Sequence, residues 1–179
     1  MSKRGKILVP ILIILAIMGV FAYKSAENRK SEALYERAQE KAEKTDTNPL
    51  EITNADLEGL KTSGVPTMID FGAKSCGPCK EMAPVLETLH DEWSGRAVVH
   101  FMDVWNYSQG LADFPLQVIP TQFFFDKNGE PFIPSKELQE EIEFTIYQAK
   151  DTKETVFTAH QGVITEEQMR KIFKEMGVE

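Results

Sequence analysis

The chain has 179 residues, 42% of them hydrophobic and 27% charged, with a formal net charge of −8 at pH 7. That length holds one ordinary domain plus an accessory segment, and the composition is that of a globular protein rather than a disordered one. Residues 1–6 carry +3 while residues 46–179 carry −12, a balance that phosphate backbones repel and that argues against nucleic-acid binding.

Ile7 to Tyr23 is an uncharged run of seventeen residues, preceded by Lys3, Arg4 and Lys6 and followed by Lys24. It has no polar face, unlike a soluble core helix, and its length is at the short end of a bilayer span. Pro10 falls near its start, where a proline is best tolerated. The run predicts a single membrane span over residues 7–23. Basic residues crowd its front, whereas Glu27 and Glu32 dilute those behind it, so the positive-inside rule puts residues 1–6 in the cytoplasm and the remainder outside. Val20-Phe21-Ala22 offers a signal-cleavage alternative. A retained anchor is favoured because the run exceeds a usual signal core and carries Phe21 and Tyr23 as an interfacial aromatic pair. Either outcome delivers the rest of the chain to the extracytoplasmic side.

Residues 24–48 are charged, free of Gly, and rich in Ala, Glu and Lys. They read as a solvated helical stalk, with only a weak apolar stripe (Ala26, Ala33, Leu34, Ala38) for coiled-coil pairing. Pro49 marks the start of a domain over 49–179. There Asn54 is the expected cap of a short helix from Ala55 to Lys61. A strand follows over Thr67–Phe71, then a helix from Cys76 to Trp93 with Met82, Val85, Leu86 and Leu89 at helical spacing. Ala97–Asp103 forms a second strand, parallel to the first because a helix separates them. A short helix is expected within Leu111–Leu116, a third strand over Thr121–Phe125, and a hairpin turn at Lys127–Glu130. Ile133–Thr158 predicts an elaborated hairpin. Thr165-Glu-Glu-Gln168 is a capping box that opens a last helix running to Met176.

The only two cysteines lie in Cys76-Gly77-Pro78-Cys79, directly behind the first strand. A dithiol at a strand-to-helix junction suits thiol–disulfide exchange, because unpaired amides and the helix dipole favour the first thiolate and the second thiol lies one turn behind. Two buried structural thiols, or half of a zinc site that recruits two of His90, His100 and His160, are the competing readings. The first fits poorly with Gly-Pro between the thiols, and the second lacks ligand spacing.

The stretch Met68-Ile-Asp-Phe-Gly-Ala-Lys-Ser-Cys-Gly-Pro-Cys-Lys-Glu-Met-Ala-Pro84 resembles the active-site strand and helix of the thioredoxin family. Val118-Ile-Pro-Thr121 is similar to that family's cis-proline turn, and Gly162 to its glycine after the last strand. The resemblance covers Leu50 to Gly177. It implies a thioredoxin-like α/β fold, a central mixed sheet flanked by helices, with an insertion at about 133–158. It implies Cys76 as nucleophile, Cys79 as resolving thiol, and Asp70 as proton acceptor and donor for Cys79 through a water. Gly77, Pro78, Ile119, Pro120 and Thr121 would bind an extended substrate, with the Ile119 backbone presented by a cis Pro120. Pro84 would kink the helix. Lys80 reads equally as support for the thiolate or as a solvated helix lysine. The family's usual aromatic before the first cysteine is Ser75 here, its next aromatic upstream is Gly72, and a lysine that commonly accompanies the aspartate is replaced by Phe101.

The expectation is therefore a membrane-anchored, extracytoplasmic thiol:disulfide oxidoreductase. Its only redox group is the Cys76–Cys79 disulfide, with no cofactor or metal. Gly-Pro between the cysteines resembles the reducing members, so a protein-disulfide reductase is favoured, with disulfide-containing client proteins as partners. An integral-membrane thiol carrier would supply the electrons. A disulfide-forming oxidase or isomerase, or a non-catalytic adaptor or holdase on the same fold, is the alternative.

Overall fold

The structure, a computed structural model, describes residues 48–179. The expected cytoplasmic N-terminus, membrane span and all but the last residue of the stalk lie outside the described residues. Among those described, no helix is long and apolar enough to cross a membrane.

In chain order the elements are α1 (Leu57–Lys61), β1 (Thr67–Gly72), α2 (Gly77–Glu92), β2 (Val98–Asp103), a 3-10 turn (Leu111–Asp113), β3 (Thr121–Phe125), α3 (Lys136–Glu141), β4 (Thr145–Gln148), β5 (Thr155–Gln161) and α4 (Glu166–Glu175). The strands form one mixed sheet in the order β2-β1-β3-β5-β4. β1 and β2 run parallel through the α2 crossover, and the other pairs are antiparallel. Leu50–Ile52 lies along β2, where the Ile52 N–H donates to the Phe101 carbonyl at 2.9 Å.

Strand alternation sorts the core into two layers. Met68, Val99 and Phe124 meet Met82, Leu86 and Leu89 of α2 and Met169, Ile172 and Phe173 of α4 on one face. Ile69, Phe71, Phe123 and Phe125 meet Leu60 of α1 and Phe114 on the other. Both faces are covered, so the strands read as nearly continuous apolar runs. α4 opens with the expected capping box, complete in both directions between Thr165 and Gln168.

Two local expectations need correction. The first helix begins at Leu57 behind Asp56, which makes no side-chain cap bond, and Asn54 is not its cap. A bridge between Asn54 and Gln109, closed by the Ala55 N–H donating to the Gln109 carbonyl at 3.0 Å, holds that stretch extended and delays the helix. The turn at Lys127–Glu130 forms, with Asp126 Oδ1 accepting the N–H groups of Asn128 (2.8 Å) and Glu130 (3.0 Å). No full partner strand follows it, however: Pro131 lacks an N–H, and the return is a bridge to Phe125. Gly129 is required there, since a Cβ would lie 1.9 Å from the Lys61 carbonyl oxygen and its φ is +78°. In the stretch expected as an elaborated hairpin, α3 comes first. β4 and β5 then pair with each other, and β5 continues without a break alongside β3.

Candidate active site

The site is assembled at the C-terminal end of β1. Gly72 ends the strand, Ala73–Ser75 turn the chain, and α2 starts at Gly77 with Pro78 in its first turn and Cys76 as N-cap residue. Cysteine replaces the usual hydroxyl or carboxylate cap here: its Sγ accepts the Cys79 N–H at 3.4 Å. Cys76 is half-buried and Cys79 buried, both as free thiols. Burial pushes the Cys79 thiol up to about 12, with its hydrogen bond to Cys76 and the charges of Cys76 and Asp70 adding to the rise. Cys76 is therefore expected to be alkylated by iodoacetamide at pH 7 well before Cys79 in the reduced protein, since Cys76 is half-buried whereas the Cys79 thiol is buried and held protonated. Peptide mapping of a time course checks this, and equal rates for the two thiols would refute it.

Asp70 sits mid-strand on β1 and is fully buried. Burial raises its carboxyl to about 7, against the lowering effect of a hydrogen bond from Gln122. Asp70 and Gly72 are two residues apart on one strand and so face the same side of the sheet. That side carries Cys79, because a Cβ built on Gly72 would lie 3.2 Å from Cys79 Sγ and 2.8 Å from Phe101 Cε2. Glycine at this position is what lets the Cys79 thiol and the Phe101 ring close over the strand. A cavity of about 270 Å³ borders Cys79, Ala83, Leu86 and Phe101, and its lining includes the exposed Lys80. Pro84 lies inside α2 as expected.

The Ile119–Pro120 peptide is cis. Thr121 pairs with Phe71, which sets Pro120 at the end of β1 from which the dithiol loop departs. The Pro120 carbonyl accepts the Gly162 N–H at 2.8 Å, and Thr121 Oγ1 donates to the Val118 carbonyl at 2.8 Å. Gly77 and Pro78 are exposed and Ile119 half-buried, while Pro120 and Thr121 are buried. Of the expected substrate-binding residues, then, the first three offer surface and the last two are enclosed in the fold. The histidines of the competing zinc reading have separate attachments: His90 Nδ1 to the Val99 carbonyl (3.1 Å), His100 Nδ1 to the Pro49 carbonyl (2.7 Å), and His160 Nδ1 to Gln122 (2.8 Å).

Three residues near the dithiol were not singled out from sequence. Asp103, at the end of β2, accepts the Lys74 N–H at 3.0 Å and the Trp105 N–H at 3.0 Å. Burial alone would raise its carboxyl, but these bonds and those from Asn106 outweigh it and hold it below the usual range. It thereby clips the loop that carries Cys76. A lone Asp ending an apolar strand was the available signal. Trp105, two residues further on, is 65% exposed and puts an aromatic ring at the same end of the sheet, where Gly72 and Ser75 provide none. Gln122 is the third.

A buried dithiol partner, a half-buried cap thiol and a carboxyl beneath them, faced by a cis-proline turn, define a protein equipped for dithiol–disulfide exchange. The thioredoxin family model matches residues 50–150. Thioredoxin from Staphylococcus saprophyticus is 38% identical over 100 residues, which is 52% of this chain and 94% of that protein. Thioredoxin from Staphylococcus aureus is 36% identical over the same shares. Among solved structures, chloroplastic thioredoxin z aligns with 75% of this chain and 98% of its own, at 21% identity and a TM-score of 0.49. The chain belongs to the thioredoxin family, which implies thiol–disulfide oxidoreductase activity.

Proposed function

We propose that this protein reduces disulfides in client proteins, working outside the cytoplasm from a membrane anchor at residues 7–23. The observation that carries the chemistry is the asymmetry of the dithiol: a half-buried Cys76 at the cap of α2, and a buried Cys79 whose thiol is pushed up to about 12. The Cys76 thiolate attacks one sulfur of the client disulfide, and the other client sulfur leaves as a thiolate. Cys79 then gives its proton to Asp70 and attacks Cys76 Sγ in the mixed disulfide. The second client thiolate departs, the Cys76–Cys79 disulfide forms, and two electrons have passed to the client. A carboxyl near 7 can hold or release a proton at neutral pH, so Asp70 suits both the forward step and its reversal. Gly77, Pro78 and the Ile119 backbone form the client-binding surface.

The reducing direction rests on Gly77-Pro78 between the thiols and on the relatives named thioredoxin. Outside the cytoplasm a reductant must be recharged, so an integral-membrane thiol carrier is its electron source. Insulin reduction with dithiothreitol as donor separates this enzyme from a non-catalytic adaptor, which would show no acceleration. Equilibration with glutathione buffers sets the direction: a potential near the −270 mV of thioredoxins supports the reductase, and one near the roughly −120 mV of strong oxidants supports disulfide formation instead. The topology rests on the apolar run and on the basic residues before it. A reporter that is active only in the cytoplasm, fused after Glu179, is expected to be silent, and activity there would reverse the orientation.

A further inference from the structure

Asp70 belongs to a polar row that crosses three strands. Register sets Asp70 opposite Gln122 on β3, and Gln122 opposite His160 on β5, and directly paired residues point to the same side of a sheet. That side is the one under α2, since Gln122 Nε2 is 3.6 Å from Met82 Sδ. Asp70 and Gln122 are fully buried, and His160 is 8% exposed. The row one step along the same face is apolar: Val99, Met68 and Phe124. Three polar groups in such a layer cost stability unless each is bonded.

Their bonds run in one sense. Gln122 Nε2 donates to Asp70 Oδ1 at 2.7 Å and to the Gly162 carbonyl at 3.3 Å. Both amide hydrogens are thereby committed, leaving Oε1 as acceptor, and His160 Nδ1 donates to it at 2.8 Å. The chain of donors ends on the carboxylate, which is the sense that stabilises its negative charge. On the β2 side Asp70 is paired with Phe101, whose side chain offers no donor, and Asp70 Oδ2 has no hydrogen-bond partner among the described residues.

We propose that Gln122 and His160 are positioning residues of the exchange reaction: His160 locks the Gln122 amide, and the amide holds one Asp70 oxygen and sets how strong a base Asp70 is. This rests on Asp70 accepting the Cys79 proton, as proposed above. The ionisable groups that act on the row are Cys79 from α2, on Asp70, and Glu143 from the segment before β4, on His160. Burial lowers His160 below the usual imidazole range, with the Glu143 charge opposing it. At neutral pH the ring is therefore uncharged, and it acts through its Nδ1–H rather than through a positive charge.

The test follows the Asp70 carboxyl carbon by NMR through a pH titration of the reduced protein, for wild type, Gln122→Leu, His160→Leu and His160→Asn. Gln122→Leu is expected to raise the midpoint by about one pH unit, a tenfold weaker acid, as loss of a hydrogen bond to a charged group requires. His160→Leu should shift it the same way by a smaller amount. His160→Asn, whose side-chain N–H can replace Nδ1–H, should stay within twofold of wild type. A wild-type midpoint in both leucine variants overturns the proposal, as does a His160→Asn midpoint displaced as far as that of His160→Leu. Since a midpoint reports only folded molecules, the His160 pair decides the matter if Gln122→Leu does not fold. Asp70→Asn in single-turnover kinetics tests the underlying reading separately: an unchanged resolving step removes Asp70 as the proton acceptor, whatever the titrations show.

Discussion

At pH 8, Asp70→Asn is expected to be more stable than the wild-type domain by about 4 kcal/mol. The carboxyl is raised by burial from 3.8 to about 7, with the Gln122 hydrogen bond opposing the rise. A difference of that size corresponds to about 4 kcal/mol at 1.36 kcal/mol per pH unit. The sign follows from proton binding. The folded state holds the Asp70 proton more tightly than the unfolded chain, so the favourable contribution is complete below about pH 3.8 and is lost as pH rises through about 7. Asparagine is never ionised and escapes that loss. Urea melts of the two proteins from pH 4 to pH 9 should diverge steadily above pH 4 and run parallel above pH 8. Curves that stay parallel throughout would mean that Asp70 is ionised in the fold at no cost. Divergence of that size would mark Asp70 as a group kept for chemistry rather than for stability.

The second large effect concerns the thiols. Cys76→Ala and Cys79→Ala should each abolish catalytic insulin reduction, and the double variant should lose nothing further, because the two sulfurs act as one unit. Their failures differ in kind. With Cys79 replaced, attack by Cys76 still proceeds and the mixed disulfide persists for want of a resolving thiol. With Cys76 replaced, the remaining thiol is buried at 4% exposure and has no route to a client. Substantial turnover by either single variant would separate the activity from the dithiol.

Most of the elements that place this site were legible because they are local. The apolar run Thr67–Phe71, the Cys-Gly-Pro-Cys junction, the helical spacing of Met82, Leu86 and Leu89, and the Thr165 capping box each declare themselves within a few residues. So does the Ile119–Pro120 turn. What was missed depends on partners far along the chain. Gln122 lies between Thr121 and three phenylalanines, where alternation alone suggests a solvent-facing residue. Its partners are 52 residues before it and 38 after it, and only the register of β1, β3 and β5 brings them into line. Asp103 serves Lys74 at a separation of 29 residues, for the same reason. Asn54 was misassigned because its bridge to Gln109 overrides a good capping preference, a case of tertiary pairing defeating local propensity.

The central claim is that Cys76 is the atom that meets the substrate disulfide. Intact-mass spectrometry of Cys79→Ala after exposure to a disulfide-linked peptide tests it most directly, with Cys76→Ala alongside. One peptide chain bound per protein, attached at Cys76 and released by dithiothreitol, with no adduct on Cys76→Ala, is the expected result. No adduct on Cys79→Ala, or an equal adduct on both variants, would contradict it.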